Sequence, residues 1–150
     1  MKSGTPYLRA IPPAKGVPGQ ADDSRNLDQK ERSKNMKLSK IAEILGAEIL
    51  SDGEEDIEIE SACGSDLMSD VMAFVKENVL LLTGLVSPQV IRTAEMMDIR
   101  AVVFVRGKVP GQNILDMARE KGIAVMSTCY PMFIACGKLY SAGLTGKGVR

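Results

Sequence analysis

From residue 36 onward, short apolar runs alternate with stretches whose apolar residues recur three to four positions apart. The first rhythm predicts strands, the second helices. Behind a short leading strand, Ser39 is placed to cap a small helix that turns Ile41, Ala42, Ile44 and Leu45 inward, and Gly46 supplies a left-handed stop. Residues 47–50 read as a strand and 51–54 as a turn. Residues 57–63 alternate apolar with polar side chains, the mark of a half-buried strand, so a strand pair is expected here. A helix follows, capped by Ser65 or Asp66, with Leu67, Val71, Phe74 and Val75 on its inner stripe and Met68 and Met72 beside them.

Three strand-then-helix units complete the pattern. Residues 79–83 form a continuous apolar strand, and Ser87-Pro88 opens a helix through residue 97, serine capping and proline at the first helical position. Residues 101–105 are the next strand, followed by the loop Arg106-Gly107-Lys108-Val109-Pro110-Gly111 and a helix over 112–121 ended by Gly122. Residues 123–126 are the third strand, Thr128 is a further cap, and a helix over 130–142 stops at Gly143. Continuous apolar strands separated by helices of this length describe a parallel sheet covered on both faces. The expected fold is therefore α/β, a three-layer domain over residues 36–144 with a mainly parallel sheet of βα units and right-handed crossovers. Residues 145–150 are expected to fray.

Residues 1–35 differ in kind. Pro6, Pro12, Pro13 and Pro18 sit among Gly4, Gly16 and Gly19, and residues 20–35 offer little to bury, so this segment reads as a disordered tail. A competing expectation makes Met36 the initiator, because Arg32-Ser33 can be encoded AGG AGC, a purine run that binds ribosomes; residues 1–35 would then be an over-extended gene. Recovery of peptides from residues 1–35 in natively expressed protein would refute it.

Composition narrows the function classes. With 150 residues, 45% of them apolar, the chain can build one sizeable core and not two. Residues 1–35 hold seven Lys/Arg against four Asp/Glu and the remainder twelve against fifteen, so the globular part is mildly acidic and has no basic stripe for a nucleic-acid partner. Histidine is absent, which removes the commonest neutral-pH acid/base and zinc ligand, and neither a metal nor a cofactor is expected. Cys63, Cys129 and Cys136 are odd in number without a CxxC pair and read as reduced thiols. No apolar run approaches the ~20 residues a membrane helix needs and no export signal opens the chain, so no membrane partner and a cytoplasmic location are expected. Nine methionines against no tryptophan make a soft apolar complement, mostly core filler, with some left to face a partner.

The run Ala62-Cys63-Gly64-Ser65-Asp66-Leu67-Met68-Ser69-Asp70-Val71-Met72, set between an alternating strand and an amphipathic helix, carries the most information. Together with the strand end Thr83-Gly84, the pair Ser127-Thr128 and the closing Gly137-Lys138-Leu139-Tyr140, it resembles the DRTGG domain over nearly all of residues 36–144. Gly64, Ser65, Asp66, Ser69 and Asp70 stand for the family signature, while Ser61-Ala62-Cys63-Gly64 replaces the family's Thr-Gly-Gly type of turn. The resemblance implies a fold similar to the amino-terminal domain of HPr kinase/phosphorylase. It also implies a regulatory or dimerising module, of the kind that accompanies phosphotransacetylases and CBS-domain pyrophosphatases.

A candidate site lies where parallel strands end. Thr83, Gly84, Arg106, Gly107, Lys108, Ser127 and Thr128 gather at one mouth if the three strands are neighbours, and ligands of open α/β sheets bind there. Helix starts near Ser87, Gln112 and Thr128 add partial positive charge and Arg106 and Lys108 add full charge, which suits an anionic metabolite or nucleotide. The plainer reading makes these residues caps, turns and solvated charges. Asp66 and Asp70 fall four apart, yet two carboxylates are few for a hard cation, and capping is the simpler role. Gly143-Leu144-Thr145-Gly146-Lys147-Gly148 fails as a phosphate loop because Ser141 and Gly148 stand where glycine and Ser/Thr are needed. Cys129 beside Tyr130-Pro131 would favour a thiolate at a helix start, but no histidine supports a catalytic thiol.

These observations lead to a non-catalytic regulatory or sensor module, a homodimer that binds an anionic small molecule or a partner protein. Two alternatives stand beside it: a small phosphoryl- or acyl-transfer enzyme using Arg106, Lys108 and Thr128, and a scaffold acting only through its helices.

Overall fold

The apolar runs of the second half become the middle of one sheet. The computed structural model of the chain describes residues 35–53, 56–74 and 77–146. The expected tail through residue 34, Glu54, Val75 and residues 147–150 lie outside the described residues. The elements in order are β1 (Met36–Lys37), α1 (Leu38–Leu45), β2 (Glu48–Ser51), β3 (Glu58–Ile59), β4 (Ser61–Gly64), α2 (Met68–Phe74), β5 (Val79–Thr83), α3 (Pro88–Met96), β6 (Ala101–Phe104), α4 (Gln112–Glu120), β7 (Ala124–Ser127) and α5 (Met132–Ser141). A five-stranded sheet has the order β2-β7-β6-β5-β4, and β1 pairs with β3 in a separate two-stranded ladder.

Strands β4 to β7 run parallel to one another, and β2 joins β7 antiparallel at the edge. Every residue of β5, β6 and β7 is buried, as the continuous apolar runs require of strands covered on both faces. One apolar cluster joins α1 and α5 to one side of the sheet through Ile41, Leu45, Leu80, Val103 and Leu139. Another joins α2, α3 and α4 to the opposite side through Val71, Leu81, Ile91, Phe104 and Ala118. The result is the expected three-layer α/β arrangement.

Three local expectations are corrected. Residues 47–50 and 57–63 do not form a strand pair, because β2 lies at one edge of the sheet and β4 at the other. The alternating segment also changes partner at Glu60: β3 pairs with β1, whereas β4 pairs with β5. Its alternation breaks there, and Ser61 is buried inside the edge of the main sheet. Leu67 is 57% exposed rather than inward, because α2 begins one residue later and Met68 takes the core position with Val71.

Ser39 does not cap α1. The helix starts after Lys37 without a side-chain cap of its own. Instead the Asp56 carboxylate accepts both the Ser39 N–H and the Ser39 hydroxyl, each at 2.9 Å. These bonds, the backbone one first, hold the Asp56 carboxyl below its ordinary value. At the other end of the domain, Leu144 is buried and Thr145 bridges to Ser61, its carbonyl accepting the Ala62 N–H at 3.3 Å. The chain therefore lies along the β4 edge where fraying was expected to begin.

Candidate functional site

The register places Thr83 beside Phe104 and Phe104 beside Ser127, so β5, β6 and β7 end level with one another. Three loops then meet around the peptide of Gly84. Asp66, in the loop after β4, accepts the Gly84 N–H at 2.7 Å and the Thr83 hydroxyl at 3.2 Å. Lys108, in the loop after β6, donates its ammonium to the Gly84 carbonyl at 2.9 Å. Gly84 is thus held from both sides, by an anion at its amide and a cation at its carbonyl, and both bonds are of the stronger charge-assisted kind.

The loop after β6 is a tight reversal. Arg106 and Gly107 both have positive φ, 61° and 71°, and the Lys108 N–H returns to the Val105 carbonyl at 3.3 Å. Positive φ at both central residues is the type I′ pattern, which glycine tolerates freely and arginine rarely adopts. Backbone bonds pin it: Arg106 N–H donates to the Tyr130 carbonyl at 2.8 Å and Gly107 N–H to the Thr128 carbonyl at 2.7 Å. The Ser127 hydroxyl donates to the Lys108 carbonyl at 2.8 Å. The turn therefore stands on the loop after β7 as a rigid crest.

The crest differs from the expected site in what it leaves available. Thr83, Ser127 and Thr128 are buried, and all three hydroxyls are used inside the protein. Thr128 does not cap α5, which starts after Pro131; its hydroxyl donates to the Leu45 carbonyl at the end of α1, at 2.7 Å. Gly84 is buried as well. Arg106 and Gly107 are exposed and Lys108 is partly so, and the Arg106 side chain has no hydrogen bond or ion pair among the described residues. Of the seven candidate residues the strand ends bring together, Arg106 and Gly107 are turned outward, and Lys108 is partly exposed with its ammonium on the Gly84 carbonyl.

The signature residues also take unexpected places. Ser65 accepts the Leu67 N–H at 3.0 Å, and Asp66, instead of capping, reaches across to Gly84. Asp66 precedes α2 while Asp70 lies inside it, so the two do not share a helical face. Gly64 is closely packed: a Cβ there would come within 2.8 Å of the Cys136 sulfur on α5 and 3.1 Å of the Met132 sulfur, so these side chains would have to shift. No group of three or more His, Cys, Asp or Glu able to hold a metal exists among the described residues. Sequence reasoning missed the exposed aliphatics around the crest, Leu67, Val86 and Val109, one in each of three successive loops. The sequence rhythm puts Leu67 on the inner stripe of the helix that follows, while Val86 and Val109 stand in loops, before the helices that start at Pro88 and Gln112.

The cysteines remain free thiols. Burial pushes the Cys63 and Cys136 thiols up from their ordinary value, and Cys129 is exposed. No helix among the described residues is long and apolar enough to cross a membrane.

With this geometry in view, the DRTGG domain family model matches residues 40–139. Among solved structures, the chain is similar to the CBS and DRTGG domains of the regulatory region of Clostridium perfringens pyrophosphatase, complexed with the activator diadenosine tetraphosphate. The two superpose with a TM-score of 0.63 at 16% sequence identity, over 83% of this chain and 54% of the other. The chain thus corresponds to about half the length of that structure. No curated protein matches the sequence.

Proposed function

The chain belongs to the DRTGG domain family, and from that premise we propose that it is a non-catalytic regulatory module that binds a small anion, a nucleotide among the candidates, at the Arg106–Lys108 crest. The observation that carries this reading is the exposed, unpartnered Arg106 side chain held on a left-handed backbone by two inward hydrogen bonds. A non-glycine residue in that conformation costs roughly 1–2 kcal/mol, a strain that persists where the surroundings enforce it. The Arg106 guanidinium, with the Lys108 ammonium beside it on the Gly84 carbonyl, can pair with phosphate or carboxylate oxygens, and the backbone turn that carries them needs no ordering of its own. The structural neighbour, a regulatory region complexed with a nucleotide activator, supports the choice of ligand class.

The transferase alternative is weakened by Thr128, whose hydroxyl is buried and donates to Leu45, out of reach of a substrate. A partner peptide at the same end is the second reading, favoured by the exposed Leu67, Val86 and Val109. Cytoplasmic residence goes with either reading, as the setting in which free thiols stay reduced.

Thermal unfolding of the full chain with AMP, diadenosine tetraphosphate, acetyl phosphate and inorganic phosphate tests the proposal. A ligand at 100 times its dissociation constant adds about 2.7 kcal/mol, enough to raise the midpoint by about 10 °C in a domain of this size. Arg106→Ala should abolish the shift and leave the unliganded midpoint in place. A shift that survives Arg106→Ala, or none with any of the four, refutes the crest as the site, and turnover of acetyl phosphate refutes the non-catalytic reading.

A further inference from the structure

Helices α3 and α4 pack side by side and end in matching turns. Asp98 follows α3 with φ 58° and Gly122 follows α4 with φ 70°. The next residue of each turn reaches back, Ile99 N–H to the Ala94 carbonyl at 2.7 Å and Ile123 N–H to the Ala118 carbonyl at 2.9 Å. The turns lead into β6 and β7. Between them lies a cavity of about 320 Å³, at the amino ends of these strands and so at the opposite end of the sheet from the crest. Buried Ala94, Ile99 and Ile123 give it an apolar lining, and two acids and two bases complete it, Glu95 and Asp98 with Arg100 and Lys121.

Local structure does not account for Asp98. Gly122 shows what the same turn takes when only the backbone matters, since glycine enters the left-handed region freely and a residue with a side chain is strained there. The Asp98 carboxylate has no hydrogen bond or ion pair among the described residues, although it borders the cavity. Strained backbone carrying an unpaired charge at a cavity is the arrangement of a binding residue.

We propose that this cavity holds a small zwitterion of the free amino acid type, its ammonium on Asp98 and its carboxylate on Arg100. Glu95 and Lys121 already pair with each other at 3.1 Å, which leaves Asp98 as the available anion. Arg100 is engaged within the chain, yet a guanidinium has five donors in a fork that suits a further, carboxylate partner. A simple anion entering the cavity meets both bases but is opposed by both acids, and a simple cation meets the reverse. A zwitterion satisfies both signs. The ends of α3 and α4 turn partial negative charge toward this end of the sheet, which favours an ammonium and disfavours a lone anion. The volume lies at the lower end of the ~300–1,000 Å³ range of small-molecule sites, so the ligand is compact, with its aliphatic part on the apolar lining. Cavity and crest stand at opposite ends of β6 and β7, so the inference is independent of the anion reading.

Isothermal titration calorimetry of the full 150-residue chain with glycine, alanine and valine tests it, with acetate and methylamine as ligands of a single sign. At least one of the three amino acids should bind saturably, and acetate and methylamine at least tenfold more weakly. Asp98→Asn should weaken that binding by about tenfold or more, the loss of one charge-assisted pair. Asp98→Gly should weaken it as much, while the unliganded midpoint of thermal unfolding holds or rises because the left-handed strain is relieved. A purely structural aspartate would instead lower the midpoint. Phe133→Ser, at an exposed position on α5, should leave binding unchanged. Absence of saturable binding by all three amino acids overturns the proposal. So does acetate or methylamine binding as tightly as the amino acid, binding that survives Asp98→Asn, or binding lost in Phe133→Ser.

Discussion

Asp66 and Gly84 stand 18 residues apart, yet the carboxylate of the first receives the amide proton of the second at 2.7 Å and so fastens the loop after β4 to the end of β5. Gly84 is buried, and its N–H has no comparable acceptor once that carboxylate is gone. Asp66→Ala should lower stability by about 1–3 kcal/mol, toward the lower end because Asp66 itself is exposed and water can enter. Asp66→Asn keeps an acceptor oxygen and should lose less. Urea midpoints rank the three proteins, and equal midpoints for wild type and Asp66→Ala would show the tie to be idle.

Thr128 distinguishes a structural residue from a ligand contact. Thr128→Val leaves the Leu45 carbonyl without its donor and should cost about 1–3 kcal/mol, whereas Thr128→Ser should restore most of it. Unchanged stability in Thr128→Val, measured by thermal and urea unfolding, would contradict this role.

Two glycines should respond differently to the same methyl group. At Gly53, with φ +75°, a Cβ meets the Ala124 backbone and side chain at 3.0 Å, so Gly53→Ala should cost more than the ~1–2 kcal/mol of the left-handed backbone alone. At Gly84 the nearest atom is 3.5 Å away, so Gly84→Ala should stay within about 0.5 kcal/mol of wild type. A reversed order in unfolding midpoints would overturn this account.

Asp56 makes helix α1 sensitive to acid. Its carboxyl is depressed in the folded state, first by the Ser39 backbone bond and then by the Ser39 hydroxyl. A depressed carboxyl contributes its full stability above the unfolded value near 4 and loses it as the pH falls through the lower folded value. Asp56→Asn should therefore be less stable than wild type at neutral pH, and the gap should close below about pH 4. A gap of constant size across that window, in unfolding followed against pH, would exclude the linkage.

Thiol chemistry should sort the cysteines. Cys129 is exposed, while Cys63 and Cys136 are partly buried with their thiols pushed up. Iodoacetamide at neutral pH should label Cys129 first and the other two slowly unless the protein is unfolded, as mass spectrometry of timed samples can read. Early labelling of Cys63 or Cys136 would contradict the observed burial.

Legibility in the sequence followed the reach of each interaction. Ser87 with Pro88, and Gly122 after α4, act within a turn of the residues they cap, and the structure places them as expected: the Ser87 hydroxyl accepts the Gln89 N–H and Gly122 has φ 70°. The runs that became β5, β6 and β7 were legible because burial on both faces leaves only apolar residues. Asp56 capping Ser39, Thr128 holding Leu45 and Asp66 holding Gly84 span 17, 83 and 18 residues, and no local pattern records such a partner. The same holds for the candidate site. Convergence of the strand ends followed from topology, but the side-chain orientations that leave Arg106 and Gly107 outward and Lys108 only partly so depend on tertiary hydrogen bonds.

The antiparallel edge carries a consequence for synthesis. Among the described residues strand β2 has its ladder partner in β7, with Glu48 opposite Ser127 and Ile49 opposite Met126. A ribosome therefore releases α1 and β2 long before their docking ground exists, and a nascent chain halted before residue 124 exposes Ile49 and its neighbours as an open template. Closure of the sheet waits on the last of its strands to be translated, so an elongation pause late in the message would prolong the interval in which that edge recruits the wrong chain.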